Sequence, residues 1–237
     1  STITTLHITS WDEDHCKPNE LKDILKELKP VFIEKPGYEP TNETGKESAE
    51  IISRYNASRT YAQVTSFTPT FIAGLKNAEE RKLTDIIYNP KKIWPEDNDN
   101  STVRLYRRGR FSVLSLGDCM NVEIANLIAS DKIACAETDV MIVAHHGADN
   151  GFTTAEFVKA INPRVAVCSS NNDNQYEHPR QEVRNVLNNA GAPLYTTKRG
   201  DVVVVCGDNN VMRVINLNAN STNIEKVEDY NPKMLIK

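Results

Sequence analysis

Long apolar runs are missing from this sequence. Its purely apolar stretches are short, such as VVVVC at 202–206, so no segment reads as a membrane span. A cationic surplus is missing too. The net charge is −4 and the pI about 5.8, which argues against a dedicated nucleic-acid-binding domain but leaves room for a local basic groove. CxxC pairs are absent. Five cysteines, Cys16, Cys119, Cys135, Cys168 and Cys206, are odd in number and widely spread. That pattern suits free thiols in a reducing cytoplasm better than a disulfide framework. No signal peptide is recognisable at Ser1. The chain opens abruptly on a strand-like segment, as a fragment or one chain of a larger assembly would. Histidine is scarce, and the five that exist are not evenly scattered.

What is present is ordinary for a globular protein: 237 residues, 39% hydrophobic and 25% charged, enough to bury a proper core. Residues 3–9 read as a strand. The stretch 17–30 places Leu21, Ile24, Leu25 and Leu28 at helical spacing, with Pro18 in its first turn and Pro30 as a stop. Residues from 35 to about 98 are polar and weakly periodic and read as a divergent insertion, with a short helix at 46–56 and a short strand at 84–89. Beyond them strands and helices alternate. Strands are expected at 101–108 and 110–118, joined by a turn at Gly109. A helix at 120–132, a strand at 138–147, a helix at 153–162 and a strand at 164–170 follow. A helix at 179–191 ends at Gly191, and three strands close the chain. The class is α/β, in a single domain spanning 1–237.

Metal-ligand residue types stand at three expected strand ends. Asp12, Asp14 and His15 lie in SWDEDH; Asp118 lies in LSLGDC; His145 and His146 lie in VAHHG. A fourth candidate, His178, precedes a helix in YEHP. Four of the five histidines fall in these segments, only His7 lying outside. Each segment alone could be a solvated turn or a helix cap. Together, at the carboxyl ends of strands in an α/β chain, they describe a site. Arg180, Lys198 and Arg199 lie near His178 and are candidates for phosphate contact. The basic run Arg104 to Arg110 reads as a charged hairpin protecting a sheet edge, with a nucleic-acid-facing edge as the alternative.

In this order the segments SWDEDH, DNSTVRLYRRGRFSVLSLGD, DVMIVAHHGAD, NQYEHPRQEVRNVL and RGDVVVV resemble the metallo-β-lactamase fold hydrolases. Among these the chain is most similar to the soluble hydrolase-like domain of the DNA-uptake competence protein ComEC and its stand-alone relatives. The resemblance covers about residues 3–16 and 98–206. It implies an αββα sandwich and a divalent metal site, of zinc or manganese, with one or two ions. It implies ligands from Asp12, Asp14, His15, Asp118 and one of His145 or His146, and catalytic roles for Asp14 and His178. His178 would contact a substrate oxyanion or protonate a leaving oxygen.

Three departures stand out. The family's first two strands are absent, so the fold is either cut or completed by a partner chain or domain. Ser10 occupies the place of the family's first histidine. No histidine lies between His15 and His145. The resulting expectation is a metal-dependent hydrolase acting on phosphodiester bonds through metal-activated water, with nucleic acid or another phosphodiester as its partner. The alternatives are a degenerate module of the same fold that binds or assembles, or a hydrolase of a non-nucleic ester.

Overall fold

The computed structural model describes residues 3–75, 85–109, 111–171, 175–207 and 211–233. The chain divides into two compact units. One comprises Ser1–Lys82 with Asn89–Val103, the other Leu83–Tyr88 with Arg104–Lys237.

The first unit is two consecutive strand–helix–strand turns. Strands β1 (Thr5–His7), β2 (Phe32–Pro36) and β3 (Gln63–Phe67) pair in parallel in that order. Parallel neighbours need a long crossover, supplied by helices α1 (Pro18–Leu28) and α2 (Glu43–Ala57). Pro18 opens α1, where its missing N–H is no loss, and Lys29 closes it in the left-handed conformation. Helix α2 starts at Asn42, whose side chain accepts the Gly45 N–H at 2.6 Å. Leu21 and Leu25 of α1 and Ile52 of α2 meet Ile33 of β2 around the buried Trp11. Part of β2, all of β3 and α2 thus lie in the stretch read as a divergent insertion. The expected helix at 46–56 lies inside the longer α2. Its amphipathic signal is diluted by an N-terminal turn rich in Glu, Thr and Gly.

After β3 come a short helix, α3 (Pro69–Gly74), and an irregular stretch through residues 90–102 held by amide side chains. The Asn89 Nδ2 donates to the Asp99 and Ser101 carbonyls at 2.6 and 2.8 Å, and the Trp94 indole donates back to Asn89 Oδ1 at 3.1 Å. The Thr102 N–H then donates to the Thr9 carbonyl at 2.9 Å. Buried amides must find such partners, and here they replace regular structure.

The second unit contains a six-stranded sheet in the order β4 (Ile86–Asn89), β5 (Val103–Arg108), β6 (Phe111–Ser115), β7 (Val140–Ile142), β8 (Val165–Cys168) and β9 (Leu194–Thr196). Strands β6 to β9 run parallel, and β5 pairs antiparallel with β6. A three-stranded antiparallel sheet joins β10 (Val202–Cys206), β11 (Met212–Leu217) and β12 (Ile224–Tyr230). Side chains alternate along each strand. Val113, Val140, Val165, Val167 and Tyr195 of the large sheet pack against Val202, Val204, Met212 and Val214 of the small one. The alternate residues Leu114, Met141 and Ala166 are buried as well. Helices α4 (Val122–Ala129), α5 (Lys132–Glu137), α6 (Ala155–Ile161) and α7 (Gln181–Asn189) connect the strands and bury Ile124, Ile128, Phe157, Ile161, Val183 and Leu187. The fold is mixed α/β, as expected. Among the described residues no helix is long and apolar enough to cross a membrane, and none of the five cysteines forms a disulfide.

The basic run is tied inward. Arg104 and Arg108 reach the buried Asp85 at 2.8 and 2.6 Å, and Arg107 grips the fully buried Glu137 at 2.7 and 3.1 Å. Arg110 lies outside the described residues. These arginines therefore serve internal carboxylates. Burial works to raise the Asp85 carboxyl, but the Arg107 N–H and the Arg108 and Arg104 guanidinium groups outweigh it and hold it below the usual carboxylate range.

Removing one member of a buried pair strands its partner. Asp85→Asn should lower unfolding free energy by about 3 kcal/mol in urea denaturation at neutral pH. A depressed carboxyl contributes stability above its unfolded value, near 4, and loses it as pH falls through its folded value. The gap between wild type and Asp85→Asn should therefore narrow on acidification below about pH 4. A gap that stayed constant would assign the loss to packing instead.

Candidate metal centre

In the first unit the acidic segment follows β1. Ser10 is fully buried, and its hydroxyl donates to Asp12 Oδ2 at 2.7 Å while accepting the Asp12 N–H at 3.2 Å. The Asp12 carbonyl in turn accepts the His15 and Cys16 N–H groups at 3.0 and 2.8 Å, closing a tight turn. Trp11 is locked by its indole donating to the Tyr38 carbonyl at 2.9 Å. The turn leaves Asp14 exposed and His15 half-buried. The His15 Nδ1 lies 2.9 Å from Thr9 Oγ1, which orients the ring so that a metal would be met by Nε2. Ser10 has a bonding role of its own in this turn. An imidazole there would displace the contact with Asp12 and crowd the Tyr38 hydroxyl, 3.5 Å away.

In the second unit the candidates stand at the carboxyl ends of neighbouring parallel strands. Beyond β6 the chain turns at Gly117, in the left-handed region, and buries Asp118. Beyond β7 the chain makes a non-helical turn at Ala144–Gly147, in which His145, His146 and Gly147 all have positive φ, 45°, 52° and 81°. Two histidines in this region are strained, a condition that persists only where surroundings impose it. The His145 N–H donates to the Gly117 carbonyl at 2.9 Å, joining the two loops. The Cys168 thiol donates to the His146 carbonyl at 3.0 Å, and burial pushes that thiol up to about 11, so it stays a donor. The Gly147 carbonyl accepts the Arg180 N–H at 2.9 Å. A Cβ at Gly147 would stand 2.4 Å from Pro179 Cβ, so only glycine allows the two loops to touch.

The outcome is a specific pair. His146 Nε2 lies 3.6 Å from Asp118 Oδ1, and its Nδ1 donates to the Ser169 carbonyl at 2.8 Å. This is the usual backing of a metal-ligating imidazole. His145 points elsewhere, its Nδ1 3.5 Å from the Asn150 amide and its ring 6.1 Å from that of His178. His178 stacks on Tyr176 at 5.6 Å. Burial, then the neighbouring His145, His146 and Arg180, holds the His178 imidazole below its ordinary value, while Asp118 pulls the other way.

Each unit thus offers a carboxylate and an imidazole of the kind that holds a metal ion, Asp14 with His15 in the first and Asp118 with His146 in the second. Asp12, His145 and His178 are not members of that His/Asp group. Of the residues expected to meet substrate, Arg180 donates to the Tyr176 carbonyl and to Glu177, both at 3.1 Å, and Arg199 to Glu225 at 2.8 Å. Lys198 shares with Arg199 the 3-10 turn Thr197–Arg199 that follows β9. Sequence reading missed Thr9, Ser169 and Cys168. A hydroxyl, a backbone carbonyl and a buried thiol carry no motif. The glycine of HHG was the one visible hint.

No family model matches the chain. ComE operon protein 3 of Bacillus subtilis (strain 168) is 28% identical to it over 123 residues. The matched stretch is 49% of this chain but 15% of that relative, so the chain is a partial relative of a much longer protein.

The ring supports and the loop contact can each be tested by one substitution. Thr9→Val removes the His15 support without touching a ligand and should weaken Mn²⁺ or Zn²⁺ affinity about 10- to 100-fold in calorimetric titration. Gly147→Ala forces the two loops apart and should lower the melting temperature of the metal-free protein, whereas Gly151→Ala should not crowd a neighbour comparably, the nearest atom to its Cβ being 3.7 Å away. Equal effects of the two substitutions would show that positive φ alone, and not the Pro179 contact, sets the requirement.

Proposed function

We propose that this chain is a divalent-metal-dependent hydrolase of phosphodiester bonds with a metallo-β-lactamase-like fold. The observation that carries the reading is that each unit offers an aspartate and a histidine fit to hold a metal ion, Asp14 with His15 in one and Asp118 with His146 in the other. Two carboxylates and two imidazoles suit zinc or manganese, the oxygen share favouring the harder ion. The fit is supported by the ring geometry, since Thr9 and Ser169 each engage an Nδ1 and aim an Nε2. An ion held there supplies a positive charge that lowers the pKa of water and polarises a phosphoryl oxygen.

The chain's own residues divide the remaining work. Asp118, buried beside His146, brings negative charge to the ion. Asp14, exposed, would offer a carboxylate able to take up a proton from an attacking water. His178, whose ring lies 6.1 Å from that of His145, would contact a phosphoryl oxyanion or donate a proton to the leaving oxygen. Arg180, Lys198 and Arg199 meet the phosphate. The resemblance to ComEC-like domains and the partial relative with a ComE operon name support the same reading.

One observation favours a second reading, a binding or assembly module of the same fold. Ser10, at the family's first histidine position, is a fully buried part of the turn that holds Asp12.

Turnover of bis(p-nitrophenyl) phosphate in Mn²⁺ separates the two. Asp118→Ala and His146→Ala should each lower it about 100-fold or more, with the metal-induced rise in melting temperature disappearing in step. A metal-induced rise without turnover above the Asp118→Ala control would favour the binding module.

A further inference from the structure

The six-stranded sheet ends at β9, and that strand has one open side. The Ala166 N–H donates to the Pro193 carbonyl at 2.9 Å, and Ala166 stands opposite Leu194. In a parallel ladder this register turns Pro193 and Tyr195 towards β8. Leu194 and Thr196 therefore direct their N–H and C=O groups the other way, where no strand pairs with them among the described residues. Edge strands are commonly blunted by charged side chains of their own. Strand β9 reads Leu-Tyr-Thr and carries none. A cleft of about 590 Å³ lies against it, lined by Leu194 and Thr196, by Arg184 and Asn188 of α7, and by Arg199 and Lys226. Three cations thus line this cleft with one carboxylate, Glu225, on a chain whose net charge is −4.

We propose that β9 accepts an extended acidic segment of a partner protein as an added strand. The unpaired N–H and C=O groups of Leu194 and Thr196 stand at strand spacing, which suits a peptide backbone. Successive side chains of an added strand leave from opposite faces, so carboxylates at every second position form one row. The cations of the cleft set the charge of that row. Arg184 donates through Nε to the Pro179 carbonyl at 2.8 Å and has no carboxylate partner among the described residues. Arg199 and Lys226 pair with Glu225 and Glu228 at 2.8 and 2.9 Å, and these pairs are largely exposed. An incoming carboxylate can exchange with them at little cost. Main-chain bonds to β9 would give the grip, and the charge row the choice of partner. The binding needs no metal and stands apart from the hydrolase reading.

The test is fluorescence polarisation of the full chain in EDTA with a fluorescein-labelled peptide of roughly ten residues, alternating glutamate and threonine. Saturable binding is expected. Two further peptides carry N-methyl groups, one on every glutamate amide and the other on every threonine amide. Only one of these sets faces β9, so one methylated peptide should bind about 10-fold or more weakly and the other should not. Equal affinity of the two would overturn strand addition, whatever the charge contributes. Arg184→Glu should weaken the unmethylated peptide about 10-fold, while Arg184→Lys should bind close to wild type and so controls for a folding defect. Unchanged affinity in Arg184→Glu would overturn the charge assignment. An oligothymidylate displacing the labelled peptide as well as unlabelled peptide does would also overturn it and mark a general anion site. A chain that sediments as a dimer and binds no peptide would overturn the proposal by assigning the edge to a second copy.

Discussion

The hydrogen bond from the His145 N–H to the Gly117 carbonyl, 2.9 Å long, is the constraint on which the candidate site depends. It joins the ends of two adjacent parallel strands at the point where each has stopped pairing regularly. Parallel strands deliver their carboxyl ends to the same edge of the sheet. They do not by themselves decide which side chain of a following loop turns inward. The left-handed turn through His145, His146 and Gly147 does that, and the bond to Gly117 holds it in register with Asp118.

Around that bond the supports form a sequence. The Cys168 thiol and the Ser169 carbonyl, both at the end of β8, fix the backbone and ring of His146. The Gly147 carbonyl receives the Arg180 N–H and so brings the loop bearing His178 against the same turn. In the first unit a similar logic applies on a smaller scale. The Asp12 carbonyl closes the acidic turn, and Thr9 steers His15. Both candidate imidazole ligands are thus held by groups that are themselves anchored to strand ends, as the outer support of a metal site requires.

Much of this was legible in the residues. Alternating strands and helices after residue 100, the amphipathic spacing in α1, and the concentration of histidine and aspartate at strand ends all follow from periodicity and composition. The stretch from 35 to 98 was less legible for physical reasons. The helix α2 has a polar first turn, and the segment 89–102 is held by Asn89, Asn100 and Trp94 through side-chain hydrogen bonds with no period to detect. The basic run was only half legible. Its alternation as a strand was visible, but its partners Asp85 and Glu137 lie 19 to 30 residues away in sequence.

By itself, then, the sequence determined the α/β class, the helical and strand segments of its second half, and the set of residue types able to hold a cation. Those are local properties, written in spacing and side-chain chemistry. Only the tertiary structure distinguished His146 from His145, gave Ser10 a buried bonding role, and turned the arginines of the hairpin inward. Identical neighbours such as two adjacent histidines differ in nothing local. They are separated by backbone conformation and by carbonyls contributed from distant strands, which exist only once the chain has folded.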